Sequence, residues 1–530
     1  FLKSDFTVKD IVLNRQKNAL NDLKNDNSII ENLLSKIAKV KLLEPKQAWP
    51  EITQWFNAEL DDNQQEAVSK ILALHSGEFL AIQGPPGTGK TTVITESILQ
   101  ILTREPRARI LITSQSNQAV DNVLERIVKF PDIRVARFVR GKANEAKISD
   151  VALKYTYDSV IKMELKKIGE TIEQTKAHFD GSPLGELQQQ WQKRVQGGDK
   201  SLKETILKNI NVIFGTLVGI ASWGSFKNVQ FDYVIVDEAG RATLPELAIT
   251  LNRATQFVLI GDHKQLPPVF EDETINEAEI QGYTKAEIRT TVFEELYEKL
   301  KEDRLEYSHF LNRNYRMHSS IAHLISQMFY EGQIITENAE LDQQKAHHLS
   351  SKKYHVYWYS TEKLDKRQEK SAGTSWNNRK NAEEVKKLLV KINQEYQAQA
   401  LEMRKTVGII SPYRSQSALL NQLIKAKGED WTHLDIDIAT VDAFQGSDRD
   451  IVVFDTVRSN PSNRLGHITD VKRLNVALSR AKELLLIVGD ADCAYKGKFK
   501  EEEPNPYKQL LEVIRTTTDL YGFEKLTEHE

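Results

Sequence analysis

A chain of 530 residues is long enough for two to four domains with their own cores. Its 40% hydrophobic and 28% charged residues suit a soluble globular chain, and no apolar run approaches the roughly 18 residues of a membrane-crossing helix. A formal net charge of −3 excludes a globally basic surface, so a nucleic-acid site has to be a local groove, and the single cysteine, Cys493, excludes a disulfide framework and a zinc cluster and points to a reducing compartment, cytoplasmic or nuclear.

The first methionine is Met163 and residue 1 is Phe, so the chain reads as a piece of a longer protein. Residues 1–48 read as helix. Thr7 to Asp10 and Ser28 to Glu31 both have the capping-box pattern. Ile29, Ile30, Leu33, Leu34 and Ile37 share one helical face, and "NDNS" at 25–28 divides the segment. A helical hairpin packed on the main body is expected; a solvated coiled-coil arm is the alternative.

From Glu78 short apolar runs alternate with amphipathic helices: "FLAIQG", "RILITSQ", "VIFGTL", "YVIVDEAG", "QFVLIGD". This repetition predicts an α/β domain with a parallel sheet covered on both faces. A second series follows: "TVGIISP", "DIATVDAFQG", "DIVVFDTV", "LLLIVGD". Two series predict two α/β domains, the first spanning 49–144 and 208–308, the second 309–530. The polar, helix-rich stretch 145–207, with loop signals "FDGSPLGE" and "QGGDKS", reads as a helical insertion into the first.

"AIQGPPGTGKTT" at 81–92 satisfies G-x-x-x-x-G-K-S/T after a strand and before a helix. Gly84, Gly87 and Gly89 let backbone N–H groups approach phosphate oxygens, and the following helix N-terminus adds its positive end. The loop residues Pro85, Thr88 and Thr92 complete a nucleotide cradle. Lys90 is expected to reach the β/γ-phosphates and Thr91 to bind Mg²⁺. "YVIVDEAG" supplies the acids: Asp237 to hold Mg²⁺ through water, Glu238 to orient and deprotonate the attacking water. In "GDHKQLPP", Gln265 is a candidate for the γ-phosphate or its water and Asp262 for orienting a neighbour. Gln64, in "LDDNQQEAV", can pair with both N6 and N7 of adenine, or serve only as a polar cap.

Together these residues resemble superfamily 1 helicases, and within them the Upf-type branch of superfamily 1B. "GPPGTGKT", "SQSNQAVDNV", "VIFGTLVGI", "VDEAG", "GDHKQLPP", "NYRMH", "VDAFQGSDRDIVV" and "RLNVALSRAK" occur in that family's order, over about 60–490. The resemblance implies two tandem RecA-like domains, a stalk-like N-terminal hairpin, and ATP hydrolysis with Mg²⁺ in the cleft between the two domains. Arg316 and Arg480 match the two arginines that the family's second domain directs at the γ-phosphate. Such a charge stabilises the phosphoryl-transfer transition state, and it couples nucleotide state to cleft closure. Tyr315 matches a residue that stacks on adenine; Gln445 and Gly446 match a loop near the γ-phosphate. Two positions depart from the family. Asn314 stands where relatives usually carry Gln. Asp448 stands where many carry a Glu that contacts the ribose, and it is one methylene shorter.

For a nucleic-acid track, Ser114, Ser116 and Asn117 sit where a strand ends and a helix begins, a setting for phosphate contacts without sequence readout, or for plain capping. Thr216 and Thr440 occupy equivalent strand ends in the two series; in relatives such residues bind the backbone of the strand. "RIVKFPDIRVARFVRGK" at 126–142 reads as a basic run that steers a polyanion, or as a solvated edge strand. Trp191 and Trp223 are stacking candidates, with core packing as the alternative. The leading reading is a monomeric ATP-dependent helicase core that moves 5′ to 3′ on single-stranded nucleic acid, DNA ahead of RNA. The polarity comes wholly from the resemblance. The alternatives are an ATP-gated clamp or remodelling scaffold, and the motor of a larger nuclease–helicase or defence protein.

Overall fold

Runs of four or five apolar residues with no polar alternation can be buried on both faces only in a sheet covered by helices on each side. The described residues form fifteen strands: β1 Phe79–Gln83, β2 Ile110–Ser114, β3 Val135–Phe138, β4 Val212–Thr216, β5 Phe231–Val236, β6 Ala254–Gly261, β7 Ser308–Phe310, β8 Val356–Ser360, β9 Lys370–Ala372, β10 Ser375–Asn377, β11 Lys405–Ser411, β12 Leu434–Thr440, β13 Arg449–Asp455, β14 Ala481–Gly489 and β15 Gly522–Lys525. This computed structural model describes residues 2–46, 48–139, 141–176, 183–197, 199–221, 229–270, 272–399, 404–426, 430–444, 446–498 and 504–528. The chain divides into two units, the first made of 1–84, 89–263 and 267–311, the second of 85–88, 264–266 and 312–530.

The first unit is a seven-stranded sheet in the order β3-β4-β2-β5-β6-β1-β7, parallel at every pairing. Every residue of β1 and β2 is buried. The five apolar runs read from the sequence are its β1, β2, β4, β5 and β6. The basic run supplies β3, which lies at the sheet edge. Between β3 and β4 the described residues form five helices, Lys142–Glu145, Asp150–Lys154, Tyr157–Lys176, Pro183–Gln196 and Lys200–Lys208. Part of this insertion has its own small core of Ile161, Val195, Leu202 and Ile206.

The N-terminal segment folds as one 23-residue helix, Leu2–Lys24, followed by a six-residue helix, Leu33–Ala38. It is therefore a long limb and a stub, not two matched limbs. Both proposed capping boxes fail as helix starts. Thr7 lies inside the first helix. The short helix begins after Asn32, whereas the Ser28 hydroxyl donates to Asn252 Oδ1 at 2.8 Å. Asn252 Nδ2 in turn donates to Ala19 O at 2.8 Å, and Ala19, Leu23, Ile30 and Leu33 are buried in the first unit's core. The segment is packed down rather than solvated along its C-terminal half.

The second unit holds a six-stranded sheet in the order β12-β11-β13-β14-β8-β15, again parallel at every pairing, and a separate antiparallel hairpin of β9 and β10. Its core is Val385, Leu389, Val407, Ile409, Ile451, Val453, Leu484 and Leu486 among others. The indole of Trp358, fully buried on β8, donates to Gly489 O at 3.1 Å. The expected second series corresponds to β11 to β14; the aromatic run of β8 and the late β15 complete the sheet.

Replacing Asn252 with alanine removes the two side-chain bonds it makes to the N-terminal segment, at about 1 kcal/mol each. Hydrogen exchange at 19–30 is expected to quicken while the second unit's exchange stays unchanged.

Candidate nucleotide and nucleic-acid sites

The phosphate loop follows β1. Its glycines are needed for space as well as for conformation. Gly87 and Gly89 have φ of +79° and +86°. A Cβ on Gly84 would come within 2.5 Å of the Lys90 side chain, one on Gly87 within 2.6 Å of Arg316 Cβ, and one on Gly89 within 2.3 Å of Gln64 Nε2. Lys90 opens the helix Lys90–Arg104 and its Nζ donates to Gly84 O at 2.7 Å, closing the loop over itself. Thr88 Oγ1 donates to Pro85 O at 2.9 Å, and Thr92 Oγ1 accepts from Arg126 Nη1 at 2.9 Å. Gln64 is buried in the first turn of the helix Asp62–Leu72, whose cap Asp61 accepts its N–H at 2.7 Å. Gln64 is thus not the cap itself; its amide is set against Gly89.

Asp237 and Glu238 follow β5. Asp237 is buried, its N–H donates to Thr113 O at 2.8 Å, and its Oδ1 accepts the Glu238 N–H at 2.9 Å. Glu238 has φ +55°, a left-handed backbone that costs energy for a residue with a side chain and clusters at functional sites. Burial first, and the Glu238 charge second, push the Asp237 carboxyl well above the usual range, against the opposing charge of Lys90. A buried carboxylate in such straits is what a divalent cation would relieve. Asp237 and the Thr91 hydroxyl are hard oxygen donors of the kind magnesium takes alongside phosphate and water.

Asp262 goes elsewhere than to a nucleotide in this structure. Its Oδ1 accepts Gln83 Nε2 at 2.6 Å, and Gln83 Oε1 lies 2.9 Å from His263 Nδ1. This buried network at the ends of β1 and β6 was not foreseen; Gln83 looked like one more strand residue.

In the second unit the stretch after β7 makes a turn closed by Asn314. Its Oδ1 accepts the N–H groups of Arg316 and Met317, each at 3.1 Å, and its Nδ2 donates to Met317 O at 2.6 Å. The departure from glutamine therefore builds a tight polar turn under Arg316. The Tyr315 N–H donates to Gly87 O at 2.8 Å, and its ring is about one-third exposed. Arg480 is buried, with Nη2 3.1 Å from Gln265 Oε1 and Nε donating to Val476 O at 3.0 Å. Gly446 has φ +85°, and Gln445 lies outside the described residues. The structure thus brings Gly87, Tyr315, Arg316, Gln265 and Arg480 into one unit.

Of the candidate track residues, Ser114 and Thr216 are register partners at the ends of β2 and β4, and Thr440 pairs with Ser411 at the ends of β12 and β11. Ser114 Oγ is buried with no partner among the described residues. Ser116 is a helix cap, accepting the Ala119 N–H at 3.1 Å, and Thr216 Oγ1 accepts the Gly219 N–H at 3.0 Å. Asn117 Oδ1 accepts Arg137 Nη2 at 2.8 Å. The basic run is not a uniform surface. Arg137 is fully buried, its Nε 2.8 Å from Asp121 Oδ1. Trp191 is exposed and lies under the Arg194 guanidinium at 5.0 Å, which fits surface better than core; Trp223 lies outside the described residues.

Two parallel α/β units with a glycine-rich phosphate loop after β1 and an acidic pair after β5 define tandem RecA-like domains. Two family models, each described as an AAA domain, match residues 59–273 and 288–492. The chain is 30% identical to a regulator of nonsense transcripts 1 homolog of Neurospora crassa, over 82% of this chain and 37% of that protein. It is 32% identical to the Drosophila melanogaster homolog over 82% and 35%. It is also 28% identical to the DNA polymerase alpha-associated DNA helicase A of Schizosaccharomyces pombe, over 88% and 68%. The chain carries a Upf1-like superfamily 1 helicase core. It spans little more than a third of the two nonsense-transcript regulators.

Asp121→Ala leaves the Arg137 charge buried without its counter-ion. A loss of about 3–5 kcal/mol is expected in chemical denaturation of the first unit.

Proposed function

We propose that this chain is the motor of an ATP-dependent helicase that tracks single-stranded nucleic acid. One observation carries the reading. Within the second unit, both motif arginines are tied to the nucleotide-binding segments: Arg480 to Gln265 by a 3.1 Å bond, and Arg316 through its turn, whose Tyr315 N–H is bonded to Gly87 O at 2.8 Å. An ATPase whose chemistry is coupled to movement needs such a link between loop and arginine.

In the proposed reaction the glycine loop and Lys90 hold the β- and γ-phosphates. Glu238 accepts a proton from water as its oxygen bonds to the γ-phosphorus and the bond to the β-bridging oxygen breaks, giving ADP and phosphate. Arg316 and Arg480 stabilise the charge on the transferring group. Thr91 and Asp237 would hold Mg²⁺, which when bound neutralises phosphate charge. Gln64 and Tyr315 bind adenine. Ser114, Thr216 and Thr440 contact the strand backbone through small polar ends. Ser116 and Asn117 stay in the track as well: like that of Thr216, their side-chain oxygens accept an internal hydrogen bond, while the Ser116 hydroxyl and the Asn117 amide are donors toward a phosphate oxygen. Phosphate contacts do not distinguish DNA from RNA; DNA is the first substrate proposed, with 5′ to 3′ movement.

The test is steady-state ATPase of the chain alone, with single-stranded DNA, and with RNA of matched sequence, using Lys90→Ala as the blank. Stimulation by either polymer is expected. Glu238→Gln is expected to keep ATP binding and lose turnover by roughly 10²–10⁴-fold; near-normal hydrolysis in that variant removes the role given to Glu238. Unwinding of a 5′-tailed but not a 3′-tailed duplex checks polarity. Strong ATPase with no strand separation favours the gated-clamp alternative.

A further inference from the structure

The surroundings of Arg316 carry a second assignment, which rests on the ATP-hydrolysis reading above. Asp448 sits just ahead of β13, beside both motif arginines: the N–H of the next residue, Arg449, donates to Arg480 O at 3.0 Å. Asp448 Oδ2 is 3.3 Å from Arg316 Nε. Its other oxygen, Oδ1, is 3.2 Å from Lys482 Nζ on β14. Lys482 Nζ reaches on to Asp450 Oδ1 at 3.3 Å, and Asp450 Oδ2 accepts the N–H of Thr406 at 2.9 Å. The carboxylate is thus engaged at both oxygens and braced through Lys482 and Asp450 to the ends of three adjacent strands, β11, β13 and β14. The backbone reinforces the arrangement. The His318 N–H donates to Lys482 O at 2.8 Å, which ties the Asn314–His318 turn to β14 next to the lysine.

Burial alone would raise the Asp448 carboxyl, but the charges of Arg316 and Lys482 outweigh it and hold it below its ordinary range. The Arg316 stem is fixed from a second side by Gly87, where an added Cβ would lie 2.6 Å from Arg316 Cβ.

An arginine held at Nε has two terminal nitrogens left for a second partner. That planar fork is what matches two oxygens of a phosphate. Among the described residues no hydrogen bond from the Arg316 terminal nitrogens is formed, and the ion pair with Asp448 is made at Nε. A ribose contact asks something different of Asp448. It would have to share an oxygen already facing a cation, on a side chain one methylene shorter than the glutamate that many relatives carry.

We propose that Asp448 is a positioning residue for Arg316: it grips the guanidinium by its Nε edge, with Lys482 as its brace, so that the terminal fork is oriented for the γ-phosphate before ATP arrives. Its part in nucleotide chemistry runs through the arginine and not through the sugar.

The experiment compares Asp448→Asn, Lys482→Met, Arg316→Ala and the two double variants with Arg316→Ala. Each is assayed for kcat and KM with ATP and with 3′-deoxy-ATP in the presence of single-stranded nucleic acid. Asp448→Asn is expected to lower kcat about 10- to 100-fold, the cost of a misplaced catalytic group, with KM moved by less than about twofold. The loss is the same for both nucleotides. Lys482→Met moves kcat the same way to a smaller extent, and it carries the test if the asparagine variant does not fold. In the Arg316→Ala background neither change lowers kcat further. Three results overturn the assignment: wild-type kcat in Asp448→Asn, a further loss in the Arg316→Ala background, or a KM effect that appears with ATP and vanishes with 3′-deoxy-ATP. A wild-type chain that hydrolyses no ATP removes the motor reading and this assignment together; one that hydrolyses ATP while Asp448→Asn matches it removes the assignment alone.

Discussion

Parallel pairing is the constraint on which the rest of this molecule depends. Every pairing in both large sheets is parallel. A parallel strand can return only through a crossover, so each sheet is covered on its faces and its strands become apolar throughout. Polar chemistry is pushed to the strand ends. In the first unit the C-terminal ends of β1, β2, β4, β5 and β6 lead into Gly84, Ser114, Thr216, Asp237 and Asp262, residues far apart in sequence that share one edge of one sheet. In the second unit Ser411 and Thr440 share the corresponding edge, whereas Asp448, Arg480 and Lys482 gather at the strand starts. One edge of that sheet carries the candidate nucleic-acid contacts and the other the residues proposed to serve phosphate chemistry.

The first unit treats two buried charges differently, and the difference separates scaffold from proposed site. Arg137 is buried with Asp121, and its remaining nitrogens are used by Asn117 and by the Phe138 carbonyl. Every group there is satisfied, so the cluster holds β3 to the helix beside it and has nothing left for a ligand. Asp237 is the opposite case. It is buried next to a second acid, and Lys90, the cation that lowers it, is bonded to its own loop. Such an arrangement is costly unless another cation and a phosphate complete it. The left-handed backbone at Glu238 adds to that cost. Strain and uncompensated charge meet at the end of β5, where the chemistry is proposed.

The motif stretch from Phe310 to Ser319 shows how a polar sequence with no helical or strand period acquires a purpose. It starts on the short strand β7 and then runs as a turn whose shape comes from the Asn314 side chain. A turn of this kind has no periodicity to detect; its signal is an asparagine able to bond the backbone two and three residues on. His318 then caps the helix Ser319–Phe329 through Nδ1, at 3.2 Å from the Ser320 N–H. Asn314 and His318 each serve the neighbouring backbone, and the turn they shape carries Arg316.

By itself the sequence determined the two α/β series, the helical insertion, the phosphate loop and the acids after β5, because these follow from short-range rules: apolar runs of strand length, glycines where no Cβ fits, and a lysine and hydroxyl at fixed spacing. It also marked the two arginines, through their match to a family. Local rules misled where a distant group competed for the same atoms. Ser28 looked like a helix cap, but the side chain of Asn252, more than 200 positions away, takes its hydroxyl. Arg137 looked like part of a basic surface, but Asp121 draws it inward. Asn117 looked available for a phosphate until Arg137 was found on its oxygen. Only the tertiary structure decided these partnerships, and only it paired Asp448 with Arg316 and Lys482. A spacing rule sees neighbours along the chain, whereas an ion pair is made by whichever charges the crossovers of a parallel sheet bring within a few ångströms.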